Sequence, residues 1–118
     1  VSRKAKPILC LDFDGVVHSY ELGWSDGTIY GSPTKGFQQW AEDASEHFLL
    51  VIHSSRSATP DGLQAISAWL KKFGLDWIEV SSTKPPAYLT IDDRCITFRG
   101  IWKDLDPAKL AKFKPWGA

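Results

Sequence analysis

Neither sign of charge prevails in this chain: Lys plus Arg and Asp plus Glu stand at 14 each in 118 residues. The balance leaves no strong electrostatic signature for nucleic acid and no global field toward an acidic membrane. No apolar run approaches the ~18 residues of a membrane helix, so no membrane partner is expected. The first apolar run, Ile8 to Val17, contains two aspartates, which is not how a secretory signal reads. Cysteine is scarce. Cys10 and Cys95 are the only two and both fall in expected strands. Without an export signal they read as buried, reduced thiols of a cytoplasmic protein. Repeats, low-complexity tracts and linkers are absent too, so one domain over residues 1–118 is expected.

What is present is an alternation of strands and helices. Residues 8–13 form a short apolar run ending in acid, the pattern of a buried parallel strand. Asp26-Gly27, between Tyr20–Trp24 and Thr28–Tyr30, reads as a small hairpin. Phe37, Trp40, Ala41, Ala44 and Phe48 predict an amphipathic helix over 34–48, followed by a second strand over 48–53. Thr59-Pro60-Asp61 is a helix start, and the helix turns Leu63, Ile66, Trp69, Leu70 and Phe73 inward before stopping at Gly74. Residues 77–80 and 88–91 predict a third and fourth strand, 95–98 an edge strand, and Asp106-Pro107 a last short helix. The order predicts an α/β fold: a Rossmann-like, mainly parallel sheet flanked by helices. Ligands of such sheets bind beyond the carboxyl ends of the strands.

Three strands end in polar chemistry. The first runs into Asp12-Phe13-Asp14-Gly15, the second into Ser54-Ser55-Arg56, and the fourth into Asp92-Asp93, with Lys84 shortly before it. Singly, each has a bland reading: Asp-x-Asp-Gly as a turn, Ser-Ser-Arg as a cap, Asp-Asp-Arg as a solvated loop. Together at one sheet edge they bring four carboxylates close, and such a cluster repels itself unless a cation sits in it. A hard divalent ion with oxygen ligands, Mg²⁺ foremost, suits it.

These motifs resemble those of the haloacid dehalogenase superfamily. Asp12-Phe13-Asp14-Gly15-Val16-Val17 looks like its first signature, Ser54 like the second-motif Ser/Thr, Lys84 like the third-motif lysine and Asp92-Asp93 like the paired acids of the fourth. The likeness spans residues 8–94 and is nearest to small phosphatases, deoxyribonucleotidase-like and capsule-biosynthesis-type members among them. It implies a Mg²⁺-dependent phosphomonoester hydrolase acting on a nucleotide, a phosphorylated nucleic-acid end or a sugar phosphate.

The resemblance also implies roles. Asp12 attacks phosphorus to give an aspartyl-phosphate. Asp14 protonates the leaving oxygen and then activates the hydrolytic water. Mg²⁺ is held by Asp12, the backbone carbonyl of Asp14 and Asp92, with Asp93 as second-choice ligand. Ser54, or Ser55 one residue on, donates to a phosphoryl oxygen, and Lys84 bridges nucleophile and phosphate. Lys84 departs from the commoner family pattern, in which the lysine begins a long crossover helix. Only Pro85-Pro86-Ala87 precedes the fourth strand. Three links span at most ~11 Å against ~17 Å for a five-residue strand, so Lys84 is expected partway down the sheet, reaching up. Arg56 and Arg94 are rival cations expected at the surface. His53 is expected in the core, and His18 and His47 in the flap and on the surface.

The gaps between motifs leave no room for a cap domain. A hairpin flap over 18–32, with Tyr20, Trp24 and Tyr30, is expected beside an open site. Two rivals to the enzyme reading stand beside it. A receiver-like phospho-acceptor domain needs its acceptor Asp on a middle strand, where this chain has His53-Ser54. A catalytically silent Mg²⁺-binding module is opposed by Asp14.

Overall fold

Ile8–Leu11 forms β1, and all but its first residue are buried, as a strand flanked on both sides must be. The computed structural model describes residues 6–20, 23 and 28–116. Along these run α1 (Phe37–Ala44), β2 (Leu49–His53), a 3₁₀ turn (Ser55–Ala58) and α2 (Pro60–Lys72). There follow β3 (Glu79–Ser81), β4 (Leu89–Ile91), a second 3₁₀ turn (Trp102–Asp104) and α3 (Pro107–Leu110). The strands lie in the order β3-β2-β1-β4, and every pairing is parallel. The fold is α/β.

Two successive steps in one direction, β1 to β2 to β3, place both crossover helices on one face when each crossover is right-handed. The core agrees with that. Leu9 and Leu11 pair with Leu50 and Ile52. These side chains form one buried cluster with Phe37, Ala41 and Ala44 of α1 and Ile66, Trp69 and Leu70 of α2. The alternate side chains, Cys10 of β1 and Thr90 of β4, point the other way and line a cleft.

Local chemistry sets the element ends. Thr59 caps α2, its hydroxyl accepting from the Gly62 N–H at 3.1 Å, and Pro60 opens the helix where a missing N–H costs nothing. Gly74 takes φ +71° just after the helix. Helix α1 is shorter than the 34–48 the spacing predicts. Thr34 is tied elsewhere: its N–H donates to the Val17 carbonyl at 2.9 Å and its hydroxyl to the Val16 carbonyl at 2.6 Å. Trp40, expected inward, is exposed. Residues 95–98 form no strand and Cys95 is exposed, whereas Cys10 is buried as expected. The Arg94 N–H bonds Asp92 Oδ1 at 2.9 Å, and that turn carries the chain out of the sheet. No helix among the described residues is long and apolar enough to cross a membrane.

Candidate active site

Strand register brings the acids together. Leu11 pairs with Ile52 on one side and Ile91 on the other. The next residue of each strand, Asp12, His53 and Asp92, therefore stands at the same level on the carboxyl edge. The Asp12 N–H extends the ladder by one bond, to the Ile91 carbonyl at 3.0 Å. Beyond this edge lies a cleft of about 850 Å³ lined by Asp12, Asp14, Ser54, Lys84, Asp92 and Asp93, with Cys10 and Thr90 on its floor.

Asp12, Asp92 and Asp93 each offer a ligand atom, all within 4.8 Å of one another. Burial, then the negative charge of Asp92, pushes the Asp12 carboxyl up to about 7. Asp93 is raised as well, by burial first. Its Oδ1 is buried without a hydrogen-bond partner. A buried, unpartnered carboxylate oxygen beside two further carboxylates fits a hard divalent cation such as Mg²⁺. Gly15, at φ +81°, lies against the Asp93 carboxylate, where any Cβ would collide with it.

The Asp14 carboxylate is not in that group. It receives His18 Nδ1 on Oδ1 at 2.9 Å and Arg56 Nε on Oδ2 at 2.6 Å. Burial by itself would raise Asp14, but these two bonds and the Arg56 charge outweigh it and hold the carboxyl below its ordinary value. The tautomer of His18 follows from its other nitrogen. The Gly31 N–H donates to Nε2 at 3.0 Å, so Nε2 is the acceptor and the proton sits on Nδ1, facing Asp14.

Two expectations are corrected here. His18 is completely buried, stacked on Phe13 with ring centroids 5.4 Å apart and met edge-on by Trp69 and Tyr30. It is not a flap residue at the surface. Arg56 is not a surface residue either: its side chain is 6% exposed and its guanidinium lies 6.0 Å from the Tyr20 ring. The sequence held a signal for His18 in its spacing from Asp14, the i,i+4 separation of one tight turn. The signal for Arg56 was its place just past the end of β2, beside β1. His53, expected in the core, is half-buried and lines the cleft.

Ser54 is buried and caps the first 3₁₀ turn, its hydroxyl accepting from the Arg56 N–H at 3.2 Å; Ser55 is exposed, and both line the cleft. Ser57 fixes this turn, with its Oγ 2.8 Å from the Ser54 carbonyl and 2.7 Å from that of Ser81 on β3. Lys84 lines the cleft on the Cys10 side, where its charge opposes the rise that burial imposes on the Cys10 thiol. Arg94 is exposed at the rim. The Asp26-Gly27 turn and Trp24 lie outside the described residues.

No family model, curated protein or solved structure matches the chain.

Proposed function

We propose that this protein is a Mg²⁺-dependent phosphomonoester hydrolase of the haloacid dehalogenase type, on a Rossmann-like sheet without a cap domain. One observation carries the reading: Asp12 and Asp92 stand side by side at the strand ends with the orphaned oxygen of Asp93, while Asp14, two residues on, is held apart by two donors. On this reading the first three carboxylates hold the metal and Asp14 is kept for proton transfer.

Asp12, Asp92 and Asp93 would hold Mg²⁺, with the Asp14 carbonyl as a further ligand. The ion supplies neutralisation of the phosphate's charge, which otherwise repels an anionic nucleophile. Asp12 forms a bond to phosphorus as the ester oxygen departs, leaving an aspartyl-phosphate. Ser54 donates to a phosphoryl oxygen and Lys84 adds a positive charge beside it. Asp14 gives its proton to the departing oxygen and then takes one from the water that attacks phosphorus. At rest Asp14 is ionised, which suits the second half; the first half requires it to take up a proton. Tyr20 stands in the cleft wall beside the nucleophile, where it can meet the leaving group.

A screen of nucleotides, phosphorylated oligonucleotides, sugar phosphates and p-nitrophenyl phosphate with Mg²⁺ tests this. Turnover is expected from the wild type, and Asp12→Asn loses about a thousandfold or more. Asp12→Asn retaining above about a tenth of the rate excludes the covalent route.

A further inference from the structure

The charge balance of the whole chain conceals a partition along it. Residues 94–118 hold six basic residues, Arg94, Arg99, Lys103, Lys109, Lys112 and Lys114, against Asp104 and Asp106, a net of +4. Residues 1–93 hold eight basic against twelve acidic residues, a net of −4. Asymmetry of this kind points to a polyanionic partner for the basic part.

Aromatic rings are interleaved with these cations: Phe98 beside Arg99, Trp102 beside Lys103, Phe113 between Lys112 and Lys114. They do not build a core. Trp102 is 75% and Trp116 72% exposed, and Phe98 and Phe113 are exposed as well. Phe98 and Trp102 lie 4.6 Å apart between centroids and form a two-ring platform facing solvent. The segment is joined to the cleft at both ends. Arg94 and Pro115 line the cleft, and Trp116 Nε1 donates to the Gly15 carbonyl at 2.8 Å.

A lipid surface would meet the cations and take up the rings, but it does not account for a segment joined to the cleft at both ends; an acidic peptide meets the cations alone. A single nucleic-acid strand offers both at every step, phosphates to the cations and bases to the rings. We propose that residues 94–116 form a track for single-stranded nucleic acid that leads a phosphorylated end into the cleft. The track stands on the charge and rings of this segment; delivery of the phosphate rests on the function proposed above.

The test is fluorescence anisotropy of a labelled single-stranded oligothymidylate titrated with the full chain, in chelator so that nothing turns over. Binding is expected to weaken with salt, log K falling against log[salt] with a slope of about −3. Trp102→Ala, at an exposed position that packing does not need, should weaken binding about fivefold or more. The double substitution Lys109→Glu, Lys112→Glu should flatten the salt dependence. Absence of binding at low salt overturns the track, as does affinity indifferent to both variants. A duplex of the same length bound as tightly removes the role of the rings and overturns it too. So do phosphatidylserine vesicles that bind the protein when the oligonucleotide does not. Hydrolysis of p-nitrophenyl phosphate by the wild type is read separately. Binding without hydrolysis keeps the track and removes the phosphatase reading; hydrolysis without binding does the reverse.

Discussion

His18 donates from Nδ1 to Asp14 Oδ1 across 2.9 Å, and its other nitrogen is occupied by the Gly31 N–H at 3.0 Å, so the imidazole is fixed in one tautomer. Its ring is held by Phe13, Trp69 and Tyr30. A fully buried side chain with both nitrogens spoken for acts as a mount for the carboxylate it faces. His18 is thus a positioning residue for Asp14.

His18→Phe keeps the aromatic packing and removes both hydrogen bonds. The Gly31 N–H is left without its partner, at a cost of about 1–3 kcal/mol in stability. Asp14 keeps Arg56 but loses its second anchor, and kcat on an alkyl phosphate is expected to fall tenfold or more, KM changing little. His18→Gln, which offers an N–H and a carbonyl, should recover part of kcat. Thermal melts and steady-state kinetics on the two variants decide this; an unchanged kcat in His18→Phe removes the positioning role.

The second prediction concerns pH and metal. The Asp12 carboxyl sits at about 7 against an ordinary 3.8. Between those values the folded chain holds a proton that the unfolded chain has released. The metal-free protein therefore loses stability as pH rises through this range. A divalent ion bound to ionised Asp12 opposes the loss. Melting temperatures in chelator should fall as pH rises from about 5 to about 8, and Mg²⁺ should raise them most at the upper end. Asp12→Asn should flatten both effects. A Mg²⁺ effect that is unchanged in Asp12→Asn contradicts the metal assignment.

Much of the site was legible because parallel strands in register carry their sequence onto one edge. Asp12 and Asp92 could be placed together from two apolar runs ending in acid, before any coordinates. The capping of α2 by Thr59 and of α3 by Asp106 was equally local, each a side chain bonding a backbone N–H two or three residues on. What escaped the sequence was long-range. Arg56 is paired with Asp14 across 42 residues, and nothing near Arg56 says which carboxylate it will find. The 95–98 segment has the apolar composition of a strand, but Asp92 turns the chain away by a bond to the Arg94 backbone. The charge partition was visible in the sequence and hidden by the total.

The third prediction follows from Arg56. Burial is the largest single influence on Asp14 and acts upward, but the bonds from His18 and Arg56 and the Arg56 charge together outweigh it and lower the carboxyl. Arg56→Met removes the Arg56 bond and charge and so raises the Asp14 carboxyl. In the proposed mechanism, phosphorylation of Asp12 by an alkyl ester needs protonated Asp14, so that step should slow as pH rises through the Asp14 pKa. In Arg56→Met the decline should move to higher pH. p-Nitrophenyl phosphate, whose leaving group hardly needs a proton, should show little decline in the same step for either protein. Single-turnover phosphorylation against pH is the measurement; coincident profiles for the two proteins on the alkyl ester contradict the role given to Asp14.

The last prediction reaches the site from outside it. Gly31 connects α2 to the His18–Asp14 pair: its carbonyl accepts Trp69 Nε1 at 2.8 Å, and its N–H holds His18. A Cβ on residue 31 would lie 2.5 Å from Ser19 Oγ and 2.8 Å from His18 Nε2; the hydroxyl can turn aside by a rotamer change, but the buried ring is held in place by its packing. Gly31→Ala must displace either the loop or the imidazole. If the imidazole moves, the Nδ1 bond to Asp14 is strained, and kcat on an alkyl phosphate falls more than tenfold while Asp12, Asp92 and Asp93 keep their metal affinity. If the loop moves instead, the Trp69 bond breaks, and the loss is seen as a lower melting temperature with kcat nearly kept. Isothermal titration with Mg²⁺, thermal melts and steady-state kinetics on the one variant separate these. A Gly31→Ala protein with wild-type kcat and an unshifted melting temperature would show that the contact between residue 31 and His18 places no constraint on Asp14.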